Sequence, residues 1–162
     1  INSWYQDTAG SERIFKGLFF VAGINSSFTG GTYLWSKGDA QLPASIADER
    51  YRMYPLPQVK KMKTNHTEFD KTYSVYTSNS DEASLILSCN MIEHILVIKN
   101  KLQKDIVFSF VAGKCYIAVP FEEDLLEPSR KGAGNKEEIK KYFYSVLLVF
   151  NIINKLELYR LA

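Results

Sequence analysis

Few residues in this chain could do chemistry, and their spacing argues against most of it. Only two histidines, His66 and His94, and two cysteines, Cys89 and Cys115, occur among 162 residues. A zinc site takes four protein ligands when structural, or three and a water when catalytic. His94 follows Glu93, but no second histidine stands four residues on. A site built from Cys89, Cys115 and His94 would need a fourth ligand from far along the chain, so no metal and no cofactor is expected. A Cys–His nucleophile pair needs its thiol at an element end or on a loop, with donors nearby. Cys89 falls inside a predicted helix and Cys115 inside a predicted strand, both among apolar neighbours. That is the setting of small, buried, reduced thiols. No Gly-x-Ser-x-Gly elbow occurs, and no catalytic residue is assigned.

Asp7-Thr8-Ala9-Gly10-Ser11-Glu12-Arg13 looks like the segment with which small GTPases sense a γ-phosphate. That chemistry needs a guanine-reading Asn-Lys-x-Asp downstream as well as a phosphate-cradling glycine loop upstream. Asn100-Lys101-Leu102-Gln103 lacks the aspartate and comes too late, so the segment reads as a solvated turn entering the first strand. Gly113-Lys114-Cys115 echoes the end of a Walker A loop, but Phe108 stands where its first glycine belongs. The plain reading is a lysine in a hairpin turn. Glu122, Glu123, Asp124 and Glu127 cluster after a strand. Paired carboxylates can do acid–base work or bind cations, yet such a run more often marks a solvated loop or a helix start. An enzyme with an unfamiliar site would be sought first at Glu122, Glu123, Asp124 and His66.

For binding, the candidate surface is Tyr51, Arg52, Tyr54, Lys60, Lys61 and Lys63. Tyrosine is enriched at interfaces, and each lysine near anionic lipid would add about 1 kcal/mol. Weak contact with lipid headgroups is therefore one expectation for this patch; lysines guarding an edge strand are the plain alternative. Twenty basic and eighteen acidic residues leave a net charge of +2, with no long basic run. No nucleic-acid partner is expected. The cysteine usage suits a cytosolic compartment, where the sequons at Asn25 and Asn65 carry no meaning.

The elements that must position these residues follow from periodicity and punctuation. Residues 14–21, 32–35, 49–54 and 72–76 read as strands, the last by its alternation of polar and apolar residues. Asn79 and Glu82 form a capping box opening a helix, and Leu85, Cys89, Ile92 and Leu96 recur on one face of it. Residues 106–111 and 115–119 read as a hairpin turning at Gly113-Lys114. Asn135 and Glu138 open a second helix over residues 136–154. Ile139, Phe143, Val146, Phe150 and Ile153 form its apolar stripe, widened by Tyr142, Leu147 and Ile152, which predicts the most buried element. Leu156 and Leu158 suggest a last short strand. The class is α+β: a mostly antiparallel sheet with two main helices, one mid-chain and one C-terminal, packed on it. One domain over residues 1–162 is expected, within a longer protein, since the chain opens on Ile1 rather than methionine. The longest apolar stretch, Tyr142 to Ile153, falls short of the roughly 20 residues that span a bilayer.

Several segments, in order, resemble the bacterial domain of unknown function 3137. Ile14-Phe15-Lys16-Gly17-Leu18-Phe19-Phe20 is similar to its opening strand, and Phe28-Thr29-Gly30-Gly31-Thr32 to the following turn. Glu68-Phe69-Asp70-Lys71-Thr72-Tyr73-Ser74-Val75-Tyr76 resembles its central motif, and Asp81-Glu82-Ala83 its next helix start, with Ser84 in place of the usual arginine. Ile106 to Ala118 resembles its hairpin, Leu125-Leu126-Glu127-Pro128 a following motif, and Leu156 to Leu161 its close. The resemblance implies a bacterial parent with transmembrane helices upstream and this domain on the cytoplasmic face. It carries over no catalytic residue. The expected function is a non-enzymatic protein-interaction module; the alternative is a domain binding a small ligand or an anionic lipid headgroup.

Overall fold

The computed structural model describes residues 2–7, 10–24, 28–37, 59–122 and 136–156. The expected strand at 49–54, Tyr51, Arg52 and Tyr54 lie outside these residues, as do Glu123, Asp124, Glu127, Asn135 and Leu158.

Seven strands build the sheet: β1 (Asn2–Asp7), β2 (Gly10–Gly23), β3 (Gly31–Ser36), β4 (Lys60–Met62), β5 (Tyr73–Thr77), β6 (Val107–Val111) and β7 (Lys114–Pro120). Their order is β1-β2-β7-β6-β3-β5-β4, and every neighbouring pair is antiparallel. With four described helices this is the α+β class that the sequence pattern predicts: α1 (Thr67–Thr72), α2 (Ser80–Ile86), α3 (Cys89–Leu102) and α4 (Lys136–Lys155). Alternation sets the faces, since successive strand residues point to opposite sides. Tyr73, Val75 and Thr77 of β5, Phe108 and Phe110 of β6, and Cys115, Ile117 and Val119 of β7 are all buried. All of these except Thr77 join Phe69, Ile86, Ile92, Ile95, Leu96, Ile98, Ile152 and Leu156 in one apolar core between sheet and helices.

Gly17 marks where β2 meets the end of β7. A Cβ there would stand 2.1 Å from the Val119 carbonyl oxygen, so only glycine permits this pairing.

Several expectations need correction. The Asp7–Arg13 segment is not a turn ahead of the first strand: β1 precedes it, Asp7 and Gly10 pair across the hairpin end, and Ser11 to Arg13 lie in β2. The later hairpin turns at Ala112-Gly113, one residue earlier than expected, because Val111 pairs with Lys114. Both turn residues have positive φ, 50° and 69°, the conformation a two-residue turn needs to match strand twist.

The mid-chain helix is two helices. Leu87 closes α2, and Ser88 restarts the chain by accepting the Met91 amide with its hydroxyl. The break shifts the phase, so Leu85 is 74% exposed and Cys89 is exposed too, while Ile92 and Leu96 stay in the core. Placing Cys89 among buried thiols was therefore wrong; it is the first residue of α3.

The C-terminal helix has nearly the expected bounds, yet its most apolar stripe points outward. Ser145, Ile152 and Leu156 are buried and Leu148 is half-buried against the core, whereas Ile139, Phe143, Val146, Leu147 and Phe150 are exposed. At 100° per residue the two sets occupy opposite sides of the helix. Apolar residues run nearly all round α4, so periodicity alone could not choose the inward side.

Candidate functional site

Of the residues expected to bind, Lys60, Lys61 and Lys63 are described. Lys60 and Lys61 sit on β4, at the sheet edge, pairing with Thr77 and Tyr76. Being consecutive, they project to opposite faces, Lys60 on the side of buried Thr77 and Lys61 on the side of Tyr76. Lys63 follows, exposed. Tyr73 and Tyr76, three residues apart on β5, are divided in the same way: Tyr73 is in the core and Tyr76 on the opposite face.

Of the residues considered for catalysis, Glu122 and His66 are described, and each stands on its own element. Glu122 is exposed after β7. His66 caps α1, its Nδ1 accepting the Phe69 amide at 3.2 Å. That bond needs an unprotonated Nδ1 and gives the ring a structural task. His94 is half-buried on α3. Among the described residues no three His, Cys, Asp or Glu side chains gather as metal ligands. Cys115 is fully buried, and loss of hydration pushes its thiol up to about 12, far from thiolate chemistry.

Two polar clusters that sequence reading missed do assemble. At one end of the core, Asp105 accepts hydrogen bonds from Ser36 Oγ at 2.7 Å and from Lys99 Nζ. The Lys99 bond, then the Ser36 bond, hold the Asp105 carboxyl below its ordinary range. Tyr73 lies near enough for the charge of Asp105 to add to burial in raising its phenol above the ordinary value. The Tyr73 hydroxyl has no hydrogen-bond partner among the described residues. A serine beside an aspartate and a lysine invites a nucleophile reading. Here, however, the serine donates straight to the carboxylate and the lysine is its charged partner, so no free base faces Ser36. The cluster ties the end of β3, the end of α3 and the approach to β6 together.

The second cluster lies at the other end of β3. Glu82 accepts from the Thr29 amide and hydroxyl and from the Gly30 amide, while Ser78 Oγ accepts the Gly31 amide. These bonds hold the entry to β3 against the start of α2. They also hold the Glu82 carboxyl below its ordinary range, the Gly30 amide contributing most. Both clusters satisfy backbone and side-chain groups internally and offer no reacting geometry.

What remains is the outer face of α4. Ile139 and Phe143 are each 61% exposed and Phe150 is 58% exposed, with Val146 and Leu147 between them and Tyr144 alongside. The Phe143 and Tyr144 rings meet edge to face at 6.5 Å. From Tyr142 to Asn154 the helix carries no charged residue. These side chains leave one side of α4 apolar and exposed. No helix among the described residues is long and apolar enough to cross a membrane.

The model of a family described as "Protein of unknown function (DUF3137)" matches residues 13–158. That span covers most of the sequence, and the chain belongs to this family. No curated protein matches the chain, and no solved structure does.

Proposed function

We propose that this domain works by docking to another polypeptide, as the cytoplasmic part of a bacterial membrane-associated protein, and that the outer face of α4 is its docking surface. The observation that supports this is the exposure of Ile139, Phe143, Val146, Leu147 and Phe150 on a helix whose other side is anchored in the core by Ile152 and Leu156. Burying such residues between partners releases water from apolar surface, the main drive of association. The helix is already held by its inner side, so little ordering cost remains on binding. The test is capture from the native host with the tagged full-length protein, wild type beside Phe143→Glu. A protein held by the wild type and released by Phe143→Glu supports the reading. Equal capture by both overturns the choice of surface. Turnover of a nucleotide or lipid by the purified domain, abolished by a point substitution, overturns the non-enzymatic reading.

A second reading is contact with anionic lipid headgroups, favoured by the exposure of Lys60, Lys61 and Lys63 at the sheet edge. Flotation with anionic vesicles at low salt tests it, and absence of binding ends it.

A further inference from the structure

We propose that β4 is an accepting edge for an acidic strand of a partner polypeptide, added antiparallel, whose apolar residue and two following carboxylates stand opposite Met62, Lys61 and Lys60. The inference does not rest on the docking reading of α4. Among the described residues β4 ends the sheet, paired with β5 on one side only. A strand so placed presents main-chain N–H and C=O groups with which a further strand can pair. Lys60, Lys61 and, just beyond the strand, Lys63 are all exposed. None of the three ammonium groups makes an ion pair with a described residue. The sequence from Gln58 to Thr67 holds no acidic residue. Asp70, whose Oδ1 reaches back to this stretch, is taken by the Thr64 amide and hydroxyl at 2.9 Å each. The edge is therefore basic and its charge is unanswered from within.

The division of the lysines selects the anion that fits. Lys60 stands opposite Thr77 and Lys61 opposite Tyr76, so the two side chains leave the edge on opposite sides of the sheet. A bilayer laid against either side reaches one of them, and a bilayer met edge-on offers the free main-chain groups no ladder. An added strand alternates with the same period of two, so two consecutive carboxylates face Lys60 on one side and Lys61 on the other. Met62 shares the side of Lys60 and is half-buried against the core, so an apolar residue opposite it extends that apolar margin. Lysines on an edge keep out strands that cannot pair with them. Carboxylates remove that repulsion, so the guard admits acidic strands selectively. Every neighbouring pair in this sheet is antiparallel, and antiparallel ladders are the slightly more stable kind. The added strand then reads apolar, acidic, acidic along its own direction.

Fluorescence polarisation of the whole chain tests this with a dye-labelled peptide carrying Val-Glu-Glu between threonines, and thermal melts confirm that each variant folds. The wild type should bind the peptide. Lys60→Glu and Lys61→Glu should each weaken binding about fivefold, and both together by more than about tenfold. A peptide with Lys-Lys in place of Glu-Glu should bind the doubly substituted chain better than the wild type. The Val-Glu-Glu peptide with N-methylated main-chain amides keeps its charge but loses its donors, and should not bind. Equal binding of the methylated peptide overturns strand addition, because charge alone then suffices. Absence of binding, or binding that neither substitution weakens, overturns the accepting edge and leaves the lysines as a guard. A chain that ignores the peptide, floats with vesicles of phosphatidylserine and phosphatidylcholine, and is released by the double substitution overturns the acidic strand in favour of the membrane surface.

Discussion

Glu82 and Gly30 lie 52 residues apart in the chain, and the Glu82 carboxylate accepts the Gly30 amide at 2.9 Å. The spacing from Asn79 to Glu82 reads as a capping box, but only half of one forms. Asn79 caps α2 through its side chain, while its own amide donates to Thr77 Oγ1, leaving Glu82 for the Thr29-Gly30 turn. A Cβ on Gly30 would come within 2.9 Å of Asn79 and Ser78, so the turn must approach closely for the bond to form. The folded state lowers the Glu82 pKa below its unfolded value. Its contribution to stability is therefore present above the unfolded pKa and is lost as pH falls through the folded one. Glu82→Gln should lower the melting temperature at neutral pH, and the difference from wild type should shrink in acid. A difference that does not change with pH would mean that the carboxylate charge is not what holds the turn.

Tyr73 carries a buried hydroxyl without a described partner, beside the charge of Asp105. Leaving a hydroxyl unsatisfied costs about 1–3 kcal/mol. Its ring stacks on Phe69 at 5.1 Å and meets Phe108 edge-on, contacts that phenylalanine would keep. Tyr73→Phe should thus leave stability unchanged or raise it by about 1 kcal/mol. A loss of more than this in a chemical denaturation curve would show that the hydroxyl is bonded.

Ala112 holds φ at 50°, where a Cβ costs about 1–2 kcal/mol relative to glycine's freedom. Ala112→Gly or Ala112→Asn should stabilise the hairpin by about 0.5–1 kcal/mol. In a chain of this size that is a rise of about 2–4 °C per kcal/mol in melting temperature. A fall would place the turn elsewhere.

The break at Ser88 makes contrasting predictions for residues that a continuous helix would put on one side. Leu85→Lys should change stability by less than about 0.5 kcal/mol, because Leu85 is exposed. Ile92→Ala should cost about 2–5 kcal/mol, because Ile92 is in the core. Ser88→Ala should cost about 1 kcal/mol through the lost cap. A costly Leu85→Lys would restore the single helix.

The two thiols differ in exposure. A thiol reagent should label Cys89 in the native protein and reach Cys115 only on unfolding, when the count rises from one to two. Two fast thiols in the native state would contradict the burial of β7.

Composition and local pattern were enough to determine the class of this protein, the positions of most strands and the bounds of α4. Alternation along β5, β6 and β7 is a property of adjacent residues, and a strand with one buried face must show it. The Asn79 cap was legible for the same reason, since its partners lie two and three residues away.

Tertiary structure decided the rest. Which side of α4 faces the core depends on what the sheet offers, and a helix apolar nearly all round does not encode that choice. The exposed stripe that supports the docking surface thus looked like the best-buried one. The pairing of Glu82 with Gly30, and of Asp105 with Ser36, joins residues far apart in the chain that only the packed fold brings together. The division of Lys60 from Lys61 follows from β4 being an edge strand rather than a loop. Local periodicity reports what each segment can bury; only the packed sheet and helices determine what each segment does bury.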